Sequence, residues 1–305
     1  MFVAVLGAAG STGKAIVPEL LRRGHRVRVV GRDAGKLRAA FGADVDVVSA
    51  DLMSSDEARR ALAGVDAVVY AVGVPYPEFA KHPVLSAHAL DAARGERVKL
   101  FLHIGTVYAY GRPRSAEIDE SQPREPHTRK GGFRRDQENL VLAADTVGGM
   151  RTLIVRFPDF YGPDAELSFV RAVTDGAKSG KTANVVGPID TVREWWFVPD
   201  TGAIVADLLD NPDTFGTDYN VQGERATTRR FAELAYARHG GKPKLMAAQP
   251  WLVRIIGLFD PFMREVGEMT YLWTTPVLVS DAKLRGVLGS VHRTPLAEGI
   301  AATVG

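Results

Sequence analysis

Through the first half of the chain, short apolar runs rich in β-branched residues alternate with segments of helical period. Phe2–Leu6, Arg26–Val30, Val45–Ser49, Ala67–Val72, Lys99–Ile104 and Thr152–Arg156 read as strands. Most are continuously apolar, as expected where both faces of a parallel sheet are covered. Between them, residues 11–23, 34–41, 54–63, 82–95 and about 128–145 read as helices. Strand–helix–strand alternation calls for right-handed crossovers and predicts an α/β fold with a doubly wound parallel sheet. After Phe157 Gly, Pro and Asp become frequent, and helices near 199–210, 227–239, 249–260 and 295–304 follow no βα order. The reading is therefore a first domain, residues 1–157, and a smaller C-terminal substrate lobe, residues 158–305, with a strand near 185–198 available to return to the first sheet.

Two apolar stretches need separate treatment. Phe2–Ala9 has the hydrophobicity of a secretory leader core, but no basic residue precedes it and an amphipathic helix follows, so it reads as a buried strand. Trp251–Met263 carries Arg254 as its only base, whereas helices that lie on membrane surfaces usually carry several; it is expected to pack beneath the second lobe. No window reaches 18 consecutive apolar residues, and no membrane association is expected.

Composition narrows the chemistry. With 305 residues, 46% hydrophobic and 24% charged, the chain can bury a substantial core without staples. The 38 Lys+Arg nearly balance 36 Asp+Glu, and like charges form no long block, so nothing points to nucleic acid and the partner is expected to be a small molecule. The absence of cysteine removes disulfides, thiolate nucleophiles and the usual structural zinc sites, and no metal is expected. A cytoplasmic location is the expectation.

The segment Val5-Leu6-Gly7-Ala8-Ala9-Gly10-Ser11-Thr12-Gly13-Lys14 lies between the first strand and the first helix. Gly7 allows the turn, Gly10 lets backbone N–H groups of Ser11 and Thr12 approach a pyrophosphate, and Gly13 lets helix and strand pack closely. The free N–H groups of the helix N-terminus then face the anion. This is the phosphate loop of a Rossmann-type dinucleotide fold. Its G-x-x-G-x-x-G spacing resembles the short-chain dehydrogenase/reductase superfamily, in its extended and atypical branches. That resemblance implies a nicotinamide cofactor. At the end of the second strand, Arg32 and Lys36 favour the 2′-phosphate of NADP over NAD, while Asp33 offers the alternative of holding an NAD ribose. The resemblance also implies that Asp51 and Leu52 border the adenine, and that Ala71, Val72 and Gly73 border the nicotinamide ribose.

Three later stretches resemble the NAD-dependent epimerase/dehydratase family, the extended branch. They are Ile104-Gly105-Thr106-Val107-Tyr108-Ala109-Tyr110-Gly111, Arg156-Phe157-Pro158-Asp159-Phe160-Tyr161-Gly162-Pro163, and Arg193-Glu194-Trp195-Trp196-Phe197-Val198-Pro199-Asp200, followed by Tyr219-Asn220-Val221 and Thr294-Pro295-Leu296. The resemblance sets Thr106 at the catalytic Ser/Thr position. It implies substrate contacts from Asp159 and Tyr161, with Arg193 and Trp195 closing the pocket mouth. The family's Tyr-x-x-x-Lys is not retained: Lys130 stands at the Tyr position and Arg134 at the Lys position, or Phe133 and Gln137 in a shifted register. Lys130 with a depressed pKa can replace the phenol as proton donor, and Arg134 can hold the ribose but, always charged, cannot act as a base. Tyr108 and Tyr110 are alternative phenols, Tyr110 being structural in relatives, and His103 reads as a core histidine.

The implied activity is hydride transfer between nicotinamide and a small carbonyl or carbinol compound. A redox sensor that binds NADP without turnover and a nucleotide-sugar epimerase or dehydratase are the alternatives, the last weakened by the missing Tyr. A homodimer is expected through the helix at 128–145, with Leu140, Val141 and Ala144 on the pairing face.

Overall fold

Val3 and Val5 point to one side of the first strand, Ala4 and Leu6 to the other, and all four are fully buried. A strand with this period-two pattern and no polar face can only be interior. The computed structural model describes residues 1–305, apart from the side chains of 261 and 262. Its first half runs β1 (Phe2–Leu6), α1 (Ser11–Arg22), β2 (Arg26–Gly31), α2 (Ala34–Phe41), β3 (Asp46–Ser49), α3 (Ser55–Leu62), β4 (Ala67–Tyr70), α4 (Lys81–Gly95), β5 (Leu100–Thr106), α5 (Arg129–Ala144) and β6 (Arg151–Phe157). These elements follow the sequence expectations to within a few residues. Local signals set several of the ends: Asp33 caps α2, Ser54 caps α3 and Thr128 caps α5, each accepting from a backbone N–H three residues on.

The second half adds β7 (Asp159–Tyr161), α6 (Arg171–Ser179), β8 (Ala183–Val186), β9 (Val192–Phe197), α7 (Thr201–Asp210), β10 (Thr217–Asn220), β11 (Glu224–Thr227) and α8 (Thr228–Ala237). It ends with β12 (Leu245–Ala248), α9 (Pro250–Ile256), α10 (Pro261–Glu268), α11 (Tyr271–Thr274), α12 (Ala282–Leu288) and α13 (Leu296–Val304). The main sheet is ordered β10-β6-β5-β4-β1-β2-β3, with every pairing parallel. Strand order reverses between β1 and β4, and the crevice at such a reversal, outside the carboxyl ends of the strands, is where open α/β sheets bind ligands.

Four expectations are corrected here. The returning strand is β10, not a segment within 185–198: β9 pairs with β7 and β11, and β8 with β12, away from the main sheet. Helix α7 packs with α1 on the main sheet, so the chain crosses between lobes more than once. The proposed dimer face is divided, because Val141 and Ala144 belong to the core under the sheet and only Leu140, 37% exposed, faces out. Finally, 251–263 does not pack beneath the second lobe. Trp251, Leu258 and Phe259 are 63%, 69% and 86% exposed, Val253 alone of α9 is buried, and residues 261 and 262 lie outside the described side chains. No helix among the described residues is long and apolar enough to cross a membrane.

Candidate active site

One cleft of about 1150 Å³ runs along the carboxyl ends of the sheet strands, from the β1–α1 turn to the second lobe. At its first end Gly7 has φ +79°, and a Cβ there would stand 2.7 Å from the carbonyl oxygen of Ala71, so only glycine fits. Gly13 lies against Ala8, whose carbonyl oxygen would be 2.4 Å from an added Cβ, which is the close helix–strand packing expected of it. Gly10 is the N-cap of α1 and contributes no side-chain cap, leaving the first N–H groups of the helix to a ligand. Gly7, Gly10, Ser11 and Thr12 all line the cleft.

The end of β2 distinguishes the alternatives raised by its charges. Asp33 is committed, its Oδ1 accepting from the Lys36 N–H at 3.0 Å. Arg32 and Lys36 line the cleft, are exposed, and their side chains meet no partner among the described residues. Asp51, Leu52, Ala71, Val72 and Gly73 continue the same wall. Asp51 braces the turn it occupies, its Oδ1 accepting from the N–H of Met53 at 2.9 Å. These residues form a trough fitted to a dinucleotide: an anion cradle at one end, unpaired cations beside it and a low wall leading inward.

At the inner end stand Thr106, Tyr108 and Arg134. Thr106 closes β5, and Tyr108 lies in the 3₁₀ turn that follows. The Tyr108 hydroxyl is 3.3 Å from that of Tyr76, and burial pushes both phenols well above their ordinary value. Asp159 lies beyond them in an ion pair with Arg193. Burial pushes its carboxyl up, against the pull of Arg193 and of the Tyr108 hydroxyl. Arg134 is buried; its Nη2 donates to the Ile104 carbonyl at 3.2 Å and its Nη1 lies 3.2 Å from His82 Nδ1. Burial and Arg134 together push His82 down to about 2, so the ring is neutral.

Five expected site residues lie elsewhere. Lys130, 2% exposed, does not line the cleft but sits behind its wall, its Nζ 5.7 Å from the centre of the Tyr76 ring and clamped between Glu265 and Glu268 of α10, the latter at 2.8 Å, so it serves as an ion-pair anchor. Tyr110 donates to Asn220 Oδ1 at 2.8 Å and accepts from Arg156 at 2.7 Å, inside a buried network in which Arg156 also grips Glu138. Tyr161 is packed in the second lobe beside Gly299. Trp195, fully buried, donates to the Ala226 carbonyl, and Arg193 sits behind the cleft wall against Trp195, Trp273 and Phe169 instead of at a pocket mouth. His103 is in the core as expected, held well below its ordinary value by burial.

Sequence reasoning missed Tyr76, Phe79, His82 and Phe169, which line the inner cleft. Tyr76 stacks on Phe79 at 5.0 Å and on Phe169 at 5.9 Å. The usable signal was an aromatic pair in the Pro-rich loop just after β4, at the carboxyl end of a strand beside the reversal point. Among the described residues no cluster of His, Cys, Asp or Glu is arranged to hold a metal ion.

The family model described as NAD dependent epimerase/dehydratase family matches residues 3–221. Sterol demethylase protein B of Methylococcus capsulatus is 28% identical over 278 residues, 87% of this chain and 83% of the relative. The dTDP-6-deoxy-L-talose 4-dehydrogenase (NAD(P)(+)) of Kitasatospora kifunensis is 28% identical over 258 residues, 78% of this chain and 79% of that one. A solved dTDP-glucose 4,6-dehydratase from Streptomyces venezuelae, with NAD bound, superposes with a TM-score of 0.83 at 20% identity over 100% of this chain and 96% of its own. At that identity the likeness is one of fold.

Proposed function

The chain belongs to the NAD-dependent epimerase/dehydratase family, and from that premise we propose an NAD(P)-dependent oxidoreductase, with NADP preferred, that interconverts a carbonyl and a carbinol on a small molecule. The observation that carries the reading is the continuity of one cleft from the glycine cradle at Gly7, past the unpartnered Arg32, to Thr106 and the Tyr76–Tyr108 hydroxyl pair. NAD in the solved neighbour and NAD(P)(+) in the name of a relative support the cofactor class. A nicotinamide cofactor held in this cleft would supply the hydride chemistry for the carbonyl and carbinol carbon.

The chain's own residues supply the rest. The N–H groups of Ser11 and Thr12, at the open start of α1, would hold the pyrophosphate, and Arg32 with Lys36 would hold the 2′-phosphate. Asp51 and Leu52 border the adenine, Ala71, Val72 and Gly73 the nicotinamide ribose, and Arg134 grips that ribose. Thr106 hydrogen-bonds the reacting oxygen. Tyr108, a phenol kept neutral by burial, donates the proton to that oxygen and regains one from solvent in the open cleft, with the Tyr76 hydroxyl 3.3 Å away as the neighbouring relay. Tyr108 thus takes over from a helix position where Lys130 is tied down. The Lys14–Asp164 ion pair, 3.0 Å long, reaches from α1 to the second lobe and narrows the way in for water.

A second reading, a sensor that binds NADP without turnover, is favoured by that same clamped Lys130, since the helix that carries the family's acid–base pair offers the cleft only Arg134. Incubating the protein with NADPH and a carbonyl panel, followed at the nicotinamide absorbance, separates the two. Oxidation of NADPH by any member supports the enzyme; saturable NADPH binding with no turnover across the panel selects the sensor.

A further inference from the structure

The inner arm of the cleft has a chemistry of its own. Its walls are residues 74–82 and 158–169, and the rings that face it, Tyr76, Phe79, Phe160 and Phe169, are each only half buried. Tyr76 lies between Phe79 and Phe169 with interplanar angles of 14° and 28°, so the three form a nearly parallel aromatic wall. Apart from Arg134 at the floor, the charged side chains of this arm are acidic or ion-paired. Lys81 pairs with Glu78 at 2.6 Å and Lys14 with Asp164 at 3.0 Å, while Glu166 adds an exposed carboxylate. Arg193, the arginine nearest this wall, is 2% exposed and spent on Asp159. Arg134 is held at the floor by the Ile104 carbonyl and His82.

A nucleotide sugar brings two phosphate charges that need cations or helix N-termini. The inner arm offers neither in free form: Lys14, Lys81 and Arg193 are each already held by an acid, and Arg134 by the Ile104 carbonyl and His82. Flat rings and aliphatic carbon suit an apolar body, and the Thr106 and Tyr108 hydroxyls supply the few polar contacts that orient it. We infer that the substrate is an uncharged, mainly apolar ring ketone or its alcohol, and that nucleotide sugars are excluded from this arm. The inference rests on the reading of the cleft as a carbonyl and carbinol site, and gives that site its substrate class.

The test is a binding titration on the full chain, by calorimetry or tryptophan fluorescence, with 2-decalone as the uncharged bicyclic ketone and UDP-glucose as the diphosphate. Each titration is run with and without NADPH, so that a failure of cofactor binding is seen separately and does not obscure the substrate result. Decalone should saturate, and UDP-glucose should bind at least tenfold more weakly. Phe169→Ala should weaken decalone about tenfold while NADPH titrates as in the wild type. Failure of decalone to bind, or a UDP-glucose affinity equal to or above that of decalone, overturns the inference; so does a Phe169→Ala protein that keeps full decalone affinity.

Discussion

Where the cleft passes the end of β2, Arg32 and Lys36 stand exposed with no acid to meet them; where it passes residues 158–169, Lys14 is met by Asp164 and, across the arm, Lys81 by Glu78. The outer arm is built on a fixed glycine turn and an open helix end, the inner arm on stacked rings beside the largely buried Asp159 and two exposed ion pairs. The exposed ion pairs contribute little stability, about 0–1 kcal/mol each. Their consequence lies in selection: the inner lysines already have their acids, whereas the outer cations acquire a partner only when one arrives. One continuous cleft can therefore prefer a highly charged cofactor and an uncharged substrate at once.

The largest expected effect breaks the outer arm. Gly7→Ala sets a Cβ 2.7 Å from the Ala71 carbonyl oxygen at a φ of +79°, so the turn must open or β4 must shift. NADPH affinity should fall more than about a hundredfold, roughly 3 kcal/mol or more, in a protein whose circular dichroism still shows the α/β fold. Calorimetry of the purified variant checks it, and an unchanged affinity would remove the phosphate loop from the site.

Next comes the inner end. Tyr108→Phe should cut turnover about a hundredfold, the usual scale for loss of a general acid, with NADPH affinity within about twofold of wild type. Because burial holds this phenol far above its ordinary value, it stays protonated at neutral pH and should impose no loss of reduction rate between pH 6 and 9. Lys130→Met should do the opposite, lowering the thermal midpoint as Glu265 and Glu268 lose their shared cation while turnover changes only a few-fold. Turnover that collapses with Lys130 and survives the loss of Tyr108 would return the proton to the helix.

The contrast between the arms also marks what could be read in advance. The buried strands announce themselves because a parallel sheet covered on both faces needs unbroken apolar runs, and the phosphate loop because its turn, cradle and helix start are consecutive residues. Strand β10 gave no such signal: Thr217, Asp218, Tyr219 and Asn220 form a short edge strand in which hydrophobicity is not required. The inner arm was hidden for another reason. Lys130 is disarmed by acids more than 130 residues away, Arg193 by Asp159 across 34, and neither pairing leaves a local pattern. Fold followed from periodicity, whereas the fate of each charge depended on contacts between distant segments.

Arg32→Ala sharpens the comparison from the cofactor side. Removing one charge-assisted contact of about 1.5–3 kcal/mol should weaken NADPH ten- to a hundredfold and leave NADH where it was, since NADH lacks the phosphate. Parallel titrations of both cofactors give the ratio. A ratio that does not move would turn attention back to Asp33, despite its service as the cap of α2.

The smallest effect concerns the ground behind the inner arm. The Glu194 side chain is fully buried next to Arg193; its Oε1 accepts from Arg225 at 2.9 Å and from the Val279 N–H at 3.1 Å, while among the described residues Oε2 meets no donor. Burial outweighs Arg225 and pushes this carboxyl up to about 7. A group that binds its proton more tightly folded than unfolded stabilises the fold at low pH, and the stability is lost as pH rises towards and through the folded value. Between pH 6 and 7.5 the loss should be about 1 kcal/mol, or one to three degrees in thermal midpoint for a chain of this size. Glu194→Gln keeps the shape and the acceptor, leaves Arg225 paired with Glu117, and cannot titrate. Its midpoint should therefore fall less than that of the wild type over the same interval, and equal slopes would mean that Glu194 is ionised throughout, held by Arg225 in spite of its burial.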